Sequence, residues 1–270
     1  MAFFKQFPKV EYDFNRTGVK QNMVDLFRSV RPLPSFLDNY SAYTFYEIKN
    51  GERPDIVSQR LYGNADYYWT FFAINEFLHD GYRAWPMSEE DLFDYIAKEY
   101  EGYVIETNPS IVRSSDLLIT DFRDSLSGRF TLGETITGST SGATGTLTKK
   151  IVDLSQLVVQ NVTGAFIGDQ TGPQNITERV TGGTSEDSVA TYQVYKYAEA
   201  PYYYYETNDA DQKPVTNSVH INGGVEGGTL SYVTNRAHVI EENDERAKIR
   251  IIDPAYVEQF VDQFEELINE

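Results

Sequence analysis

The chain has 270 residues, with 23 Lys and Arg against 41 Asp and Glu, a formal net charge of −18, no Cys and three His. The length allows one or two domains, or one domain carrying an insertion, with a core of useful size. The missing Cys excludes disulfide scaffolds, Cys-ligated metal and thiol nucleophiles, and the acidic balance argues against tracking a nucleic-acid backbone, which takes Lys and Arg to displace counterions.

Residues 1–40 read as an arm. Pro8, Pro32 and Pro34 interrupt regular structure, and one short helix is expected at Asn22–Val30, where Val24, Phe27 and Val30 fall at helical spacing. Phe3, Phe4, Phe7, Tyr12 and Phe14 give this arm too much apolar surface to stand free in water. Tyr43 to Ile48 is aromatic and β-branched, which favours a strand, and Lys49 to Glu52 supplies a turn. Pro54 then suits the first turn of a helix ending at Tyr62, with Gly63 as its left-handed stop. Asn64 is placed to cap a second helix, rich in aromatic residues and ending at Asn75, that needs burial on more than one side. Gly81 to Trp85 reads as a returning strand. Ser88 to Asp91 resembles a capping box opening a helix to about Tyr100.

From 126 to 195 the helical period disappears and Gly, Thr, Ser and Val dominate, so short strands forming a small barrel or sandwich are expected. A weak echo is present: Gly128-Arg-Phe130 with Gly133-Glu134 recurs as Gly164-Ala-Phe166 with Gly168-Asp169. Tyr202–Tyr205 marks a strand with one buried and one exposed face, and the glycines at 223–228 mark a loop. Lys248 to Ile252 reads as a strand, Asp253 as a cap and Pro254 as the first helical position. Val257, Phe260, Val261, Phe264, Leu267 and Ile268 then form an apolar stripe opposite Glu258, Asp262, Glu265 and Glu266. That stripe fits either a helix packed on its own domain or one that binds a partner.

Charge is uneven: residues 1–60 carry a net +2, while 61–125 and 196–270 each carry −9. Such a split suits electrostatic meeting of partners as well as plain solubility. No apolar run approaches the ~20 residues that span a bilayer, and the first residues lack a secretion signal, so a soluble chain is expected. His79-Asp80 has the look of a metal dipeptide without further His ligands at metal-site spacing, and reads as a loop. Among so many acidic residues, glycosidase-like carboxylate pairs carry no signal. No Gly-x-Ser-x-Gly elbow and no phosphate loop is present. No catalytic, cofactor or metal residues are expected.

The ordered set Tyr46, Gly51, Pro54, Tyr62, Gly63, Asn64, Trp69 and Asn75 resembles a LysM module, which is strand–helix–helix–strand. With Ile48-Lys49, Arg53-Pro54, Tyr62-Gly63-Asn64 and Tyr68-Trp69, the run more closely resembles the LysM-like baseplate wedge subunit of contractile-tailed, T-even-type bacteriophages. The resemblance extends to Phe3–Tyr12, Met23–Arg28, Trp85–Tyr100 and the terminal strand and helix, covering roughly 1–105 and 240–270. It departs over 126–195.

The expected fold class is therefore α+β: a LysM-like β-α-α-β core with an extended N-terminal arm, an inserted small all-β barrel or sandwich module and a C-terminal helix. The arm spans 1–40, the core with its following helix 41–105, the insertion 126–195, and the Tyr-rich strands with the terminal strand and helix 196–270. The resemblance implies a structural, non-enzymatic part of the baseplate wedge, linking adjacent wedges into a ring around the tail hub. It implies other wedge and hub proteins as partners, six copies per baseplate, and a place in the virion after assembly in host cytoplasm. No cofactor, nucleic acid, membrane or small-molecule substrate is expected. The alternative is a LysM-type peptidoglycan-binding module. Expected contact residues are Phe3, Phe4, Phe7 and Tyr12 in the arm, Trp85, Tyr203 and Tyr205 at element edges, and Phe260 and Phe264 on the terminal helix; Trp69 is expected mainly in the core.

Overall fold

The computed structural model describes residues 7–25, 42–107, 111–114, 117–120, 126–169, 176–215 and 230–269. In chain order the first elements are strands β1 (Lys9–Tyr12), β2 (Gln21–Val24) and β3 (Tyr43–Glu47), then helices α1 (Pro54–Tyr62), α2 (Trp69–Ile74) and α3 (Glu89–Glu99). Strands β4 (Tyr103–Thr107), β5 (Ile111–Ser114), β6 (Leu117–Thr120), β7 (Thr135–Gly138), β8 (Thr144–Ile151) and β9 (Gln156–Thr163) follow. Next come β10 (Gly168–Asp169), β11 (Ile176–Thr177), β12 (Arg179–Gly182), β13 (Ser188–Lys196), β14 (Pro201–Glu206) and β15 (Leu230–Thr234). The chain ends with α4 (Asn235–Arg246), β16 (Lys248–Ile252) and α5 (Val257–Asn269). It divides into two units, Met1–Leu92 with Glu241–Glu270, and Phe93–Ile240. Among the described residues no helix is long and apolar enough to cross a membrane.

The first unit is mixed helix and strand. β3 pairs antiparallel with β16, from Lys248 opposite Glu47 to Ile252 opposite Tyr43. The strand expected at 81–85 is instead a 3₁₀ turn, Gly81–Arg83, whose Gly81 has φ +65°. The partner of β3 thus comes from the far end of the chain. α2 is buried on more than one side and serves two clusters: Trp69 and Ile74 join Ile252, Phe260, Phe264 and Ile268, whereas Phe71 joins Val57, Trp85, Ile249 and Ile251. The terminal stripe is realised in α5, with Val257, Phe260, Val261, Phe264 and Ile268 buried. α5 starts later than the sequence pattern suggests, because Asp253 first closes a turn, accepting from the Ala255 N–H at 2.9 Å. The helix expected at Asn22–Val30 begins instead as a strand: Gln21–Val24 pairs with Tyr12–Lys9, and Phe27 and Val30 lie outside the described residues.

The second unit is built on a closed β-barrel. Hydrogen bonding runs β4–β9–β8–β7–β12–β13 and returns from β13 to β4, a ring of six antiparallel strands that removes free edges. Alternation along each strand sends Ile105, Ile136, Leu147, Leu157, Val159, Val180 and Val189 inward with Leu126, Phe130 and Phe166. The β-module expected over 126–195 is therefore a barrel and not a sandwich, and it takes one strand, β4, from before residue 126.

The barrel has an internal two-fold. Glu134-Thr-Ile-Thr-Gly138-Ser-Thr-Ser141 recurs 44 residues later as Glu178-Arg-Val-Thr-Gly182-Gly-Thr-Ser185. Each glutamate reaches the turn of the other copy. Glu134 Oε2 accepts from the Thr184 and Ser185 N–H groups at 3.0 and 2.9 Å, and Glu178 Oε2 from those of Thr140 and Ser141 at 3.0 and 2.9 Å. Gly138 and Gly182 make room for these carboxylates, since a Cβ at either would lie 2.7 or 2.6 Å from them. Even the bulges repeat, between Leu147 and Lys149 on β8 and between Thr191 and Gln193 on β13. Burial alone would raise both carboxyl pKa values, but the converging donors outweigh it and hold them below the usual range.

Candidate interaction surfaces

The motif residues of the first unit are occupied in holding it together. Pro54 fills the first position of α1, and Gly63 ends that helix at φ +70°. Asn64 accepts from the Asp66 N–H at 2.9 Å and starts a 3₁₀ turn, Ala65–Tyr68, that leads into α2. Asn75 is buried at the end of α2 and clamps β16: its amide donates to the Arg250 carbonyl at 2.9 Å and its oxygen accepts from the Arg250 N–H at 2.9 Å. The Tyr62 hydroxyl accepts from the Ile252 N–H at 3.1 Å. Gly51, at φ +72°, turns the chain so that Glu52 can receive the Tyr46 hydroxyl at 2.7 Å and the Arg60 guanidinium. Burial pushes the Glu52 carboxyl up, yet these donors leave it below the usual range. Local signals at 46–75 thereby seat a strand from residue 248 onward.

Of the expected contact residues, four are inside. Trp85 is 7% exposed and donates its indole N–H to the Glu52 carbonyl at 2.7 Å. Phe7 is buried beside Trp69, Phe260 and Phe264, and the Trp69 ring centroid lies 4.5 Å from that of Phe264. Side chains committed to this core are not available as surface anchors, so Phe7, Trp85, Phe260 and Phe264 are core residues of the first unit. Phe3 and Phe4 lie outside the described residues. Tyr203 and Tyr205 are half-buried on β14, which pairs with β15.

Tyr12 is different: it is 58% exposed on a two-stranded ribbon, β1–β2, whose base is closed by the Asp25 N–H on the Pro8 carbonyl at 2.9 Å. Val10 pairs with Met23, and Tyr12, two residues on, shares their face. Phe14, at 72% exposure, and Val19 extend the apolar surface into the connecting loop. That loop is shaped by Asp13, whose carboxylate accepts from the Thr17 and Gly18 N–H groups at 3.0 and 2.6 Å. Among the described residues neither ribbon strand has a further strand partner. Phe45, 79% exposed opposite Arg250 on β3–β16, is a second outward aromatic that sequence reasoning did not single out. The alternation Tyr43-Thr-Phe-Tyr offered no way to tell which ring faced out.

A cleft of about 400 Å³ lies between the Gly51–Pro54 turn and residues 82–88. The Trp85 indole N–H at its wall is already committed to Glu52. His79 Nε2 sits 3.2 Å from Asp80, with both side chains largely in solvent, and among the described residues no three His, Asp or Glu side chains gather as a metal site.

Comparison with known proteins bears on the first 116 residues. Residues 1–116 match the family model described as base plate wedge protein 53. Over 103 residues the chain is 28% identical to the baseplate wedge protein gp53 of Enterobacteria phage T4, a match covering 37% of this chain. The aligned region spans about half (52%) of that relative's length.

Proposed function

We propose, from the similarity of residues 1–116 to baseplate wedge protein 53, that this chain is a structural component of a contractile phage tail baseplate. In this reading it joins neighbouring wedge proteins into the ring around the hub, in six copies, and performs no catalysis. Assembly takes place in host cytoplasm and the finished part resides in the virion. The β3–α1–α2–β16 arrangement supports a LysM-like core whose closing strand is supplied after a long insertion, because β16 lies antiparallel to β3 and is pinned by Asn75. The observation that carries the assembly role is the outward apolar face of the β1–β2 ribbon, within the family-matched segment. An isolated hairpin is marginal in water, and an apolar face at its position gains by being covered. Co-expression of the full chain with the neighbouring tail proteins tests the proposal. A complex that co-elutes on size exclusion is expected; separate elution of every component would overturn it.

A further inference from the structure

On the outer wall of the barrel, three buried side-chain oxygens without a hydrogen-bond partner belong to one row of residues. Gln193 of β13 and Gln156 of β9 stand in register on either side of Glu106 of β4. The atoms concerned are the two glutamine Oε1 atoms and Glu106 Oε2. Directly opposite residues on antiparallel strands project to the same face with Cβ atoms about 5 Å apart. Gln156 Nε2 donates to the Pro201 carbonyl at 3.1 Å, which fixes its oxygen as the unpaired end. Glu106 Oε1 accepts from the Tyr204 hydroxyl at 2.9 Å, and the Tyr195 hydroxyl also bears on this carboxyl. The β14–β15 ribbon covers the row, with Tyr232 of β15 against Tyr195 of β13 at a ring-centroid distance of 6.2 Å. The titratable groups facing the row are therefore Tyr195, Tyr204 and Tyr232, and among the described residues no Lys, Arg or His bears on Glu106.

A carboxylate here would add one more acceptor to a row already short of donors, whereas a carboxylic acid supplies the missing hydrogen. We propose that Glu106 is a proton-operated latch for the Tyr-rich ribbon. When protonated, its Oε2–H donates to a flanking glutamine oxygen and the ribbon lies closed on the barrel. When it ionises, the proton goes to solvent, acceptors face one another across the strands, and the ribbon loosens. Burial pushes the Glu106 carboxyl up to about 7, against the smaller downward pull of the Tyr204 and Tyr195 hydroxyls, so the latch operates near neutral pH.

Two measurements on the full chain test the latch. Carbon-detected NMR gives the titration midpoint of the Glu106 carboxyl, and hydrogen exchange, corrected for its intrinsic pH dependence, reads the opening of the β14 and β15 amides. The expected midpoint is near 7, with the ribbon's opening constant rising on the order of a hundredfold between pH 5 and 8. Glu106→Gln, which can donate but cannot ionise, is expected to show a flat profile. A midpoint at or below the ordinary 4.5 would overturn the proposal, and so would an unchanged pH dependence in Glu106→Gln. Should that variant fail to fold, the wild-type midpoint still decides.

Discussion

The β1–β2 ribbon and helix α5 begin from similar apolar loads and use them in opposite directions. In α5 the stripe turns inward: Phe260 and Phe264 lie against Trp69, and Ile268 is fully covered. In the ribbon, Val10, Tyr12 and Met23 turn outward, with Phe14 and Val19 beyond them. Apolar content therefore does not separate a core element from a docking element. What separates them is whether the same unit supplies a complementary surface. α2 and the β3–β16 sheet supply one for α5, whereas β1–β2 has no further strand neighbour among the described residues.

The comparison can be broken most forcefully at the helix. Phe264→Ala should destabilise the first unit by about 3–5 kcal/mol, since it removes a large side chain from a packed aromatic cluster. Chemical denaturation measures this, and a loss below about 1 kcal/mol would place the helix at the surface instead. Next in size is a pH effect in the barrel, where buried carboxyls of opposite shift meet. Glu106 is raised to about 7, so its contribution is full below the unfolded value of 4.5 and falls by about 3 kcal/mol as pH rises through 7. Glu134 and Glu178 are depressed, so theirs is present above the ordinary carboxylate range and is lost as pH falls through their lowered values. Stability against pH should accordingly decline on both sides, and Glu106→Gln should flatten only the alkaline limb. Asn75→Ala comes third, at about 2 kcal/mol, because it strands the Arg250 N–H and carbonyl beneath α2. Its cost should appear in the same denaturation series as Phe264→Ala. Smallest are Tyr12→Ser and Phe14→Ser, each expected within about 0.5 kcal/mol of wild type in the isolated chain.

Much of the first unit was legible in the sequence because its signals are local. Pro54, Gly63 and Asn64 mark helix boundaries by backbone geometry, and the 257–268 stripe marks α5 by period. Residues 81–85 read as a returning strand, but the partner of β3 is 248–252, held there by the Asn75–Arg250 clamp across 175 residues. Trp85 looked like an edge residue because the carbonyl that satisfies its N–H belongs to a turn 33 residues earlier. In the second unit the β character was evident from composition, but ring closure depends on β4, which lies before the Gly/Thr-rich stretch. The echo at Phe130 and Phe166 has a different offset, 36 residues, and is not the barrel's duplication, although both rings enter the barrel core. The 44-residue repeat becomes visible only once Glu134 and Glu178 are seen reaching into each other's turns. Helix α4 carries too few apolar residues for its period to stand out, and it was not anticipated.

The most direct test of the central claim is a triple substitution, Tyr12→Ser, Phe14→Ser and Val19→Ser, in the full chain co-expressed with the neighbouring baseplate proteins. An unchanged melting temperature is expected for the isolated chain, with at least a tenfold weaker association, read by size exclusion and titration. A variant that assembles as tightly as wild type would contradict that claim.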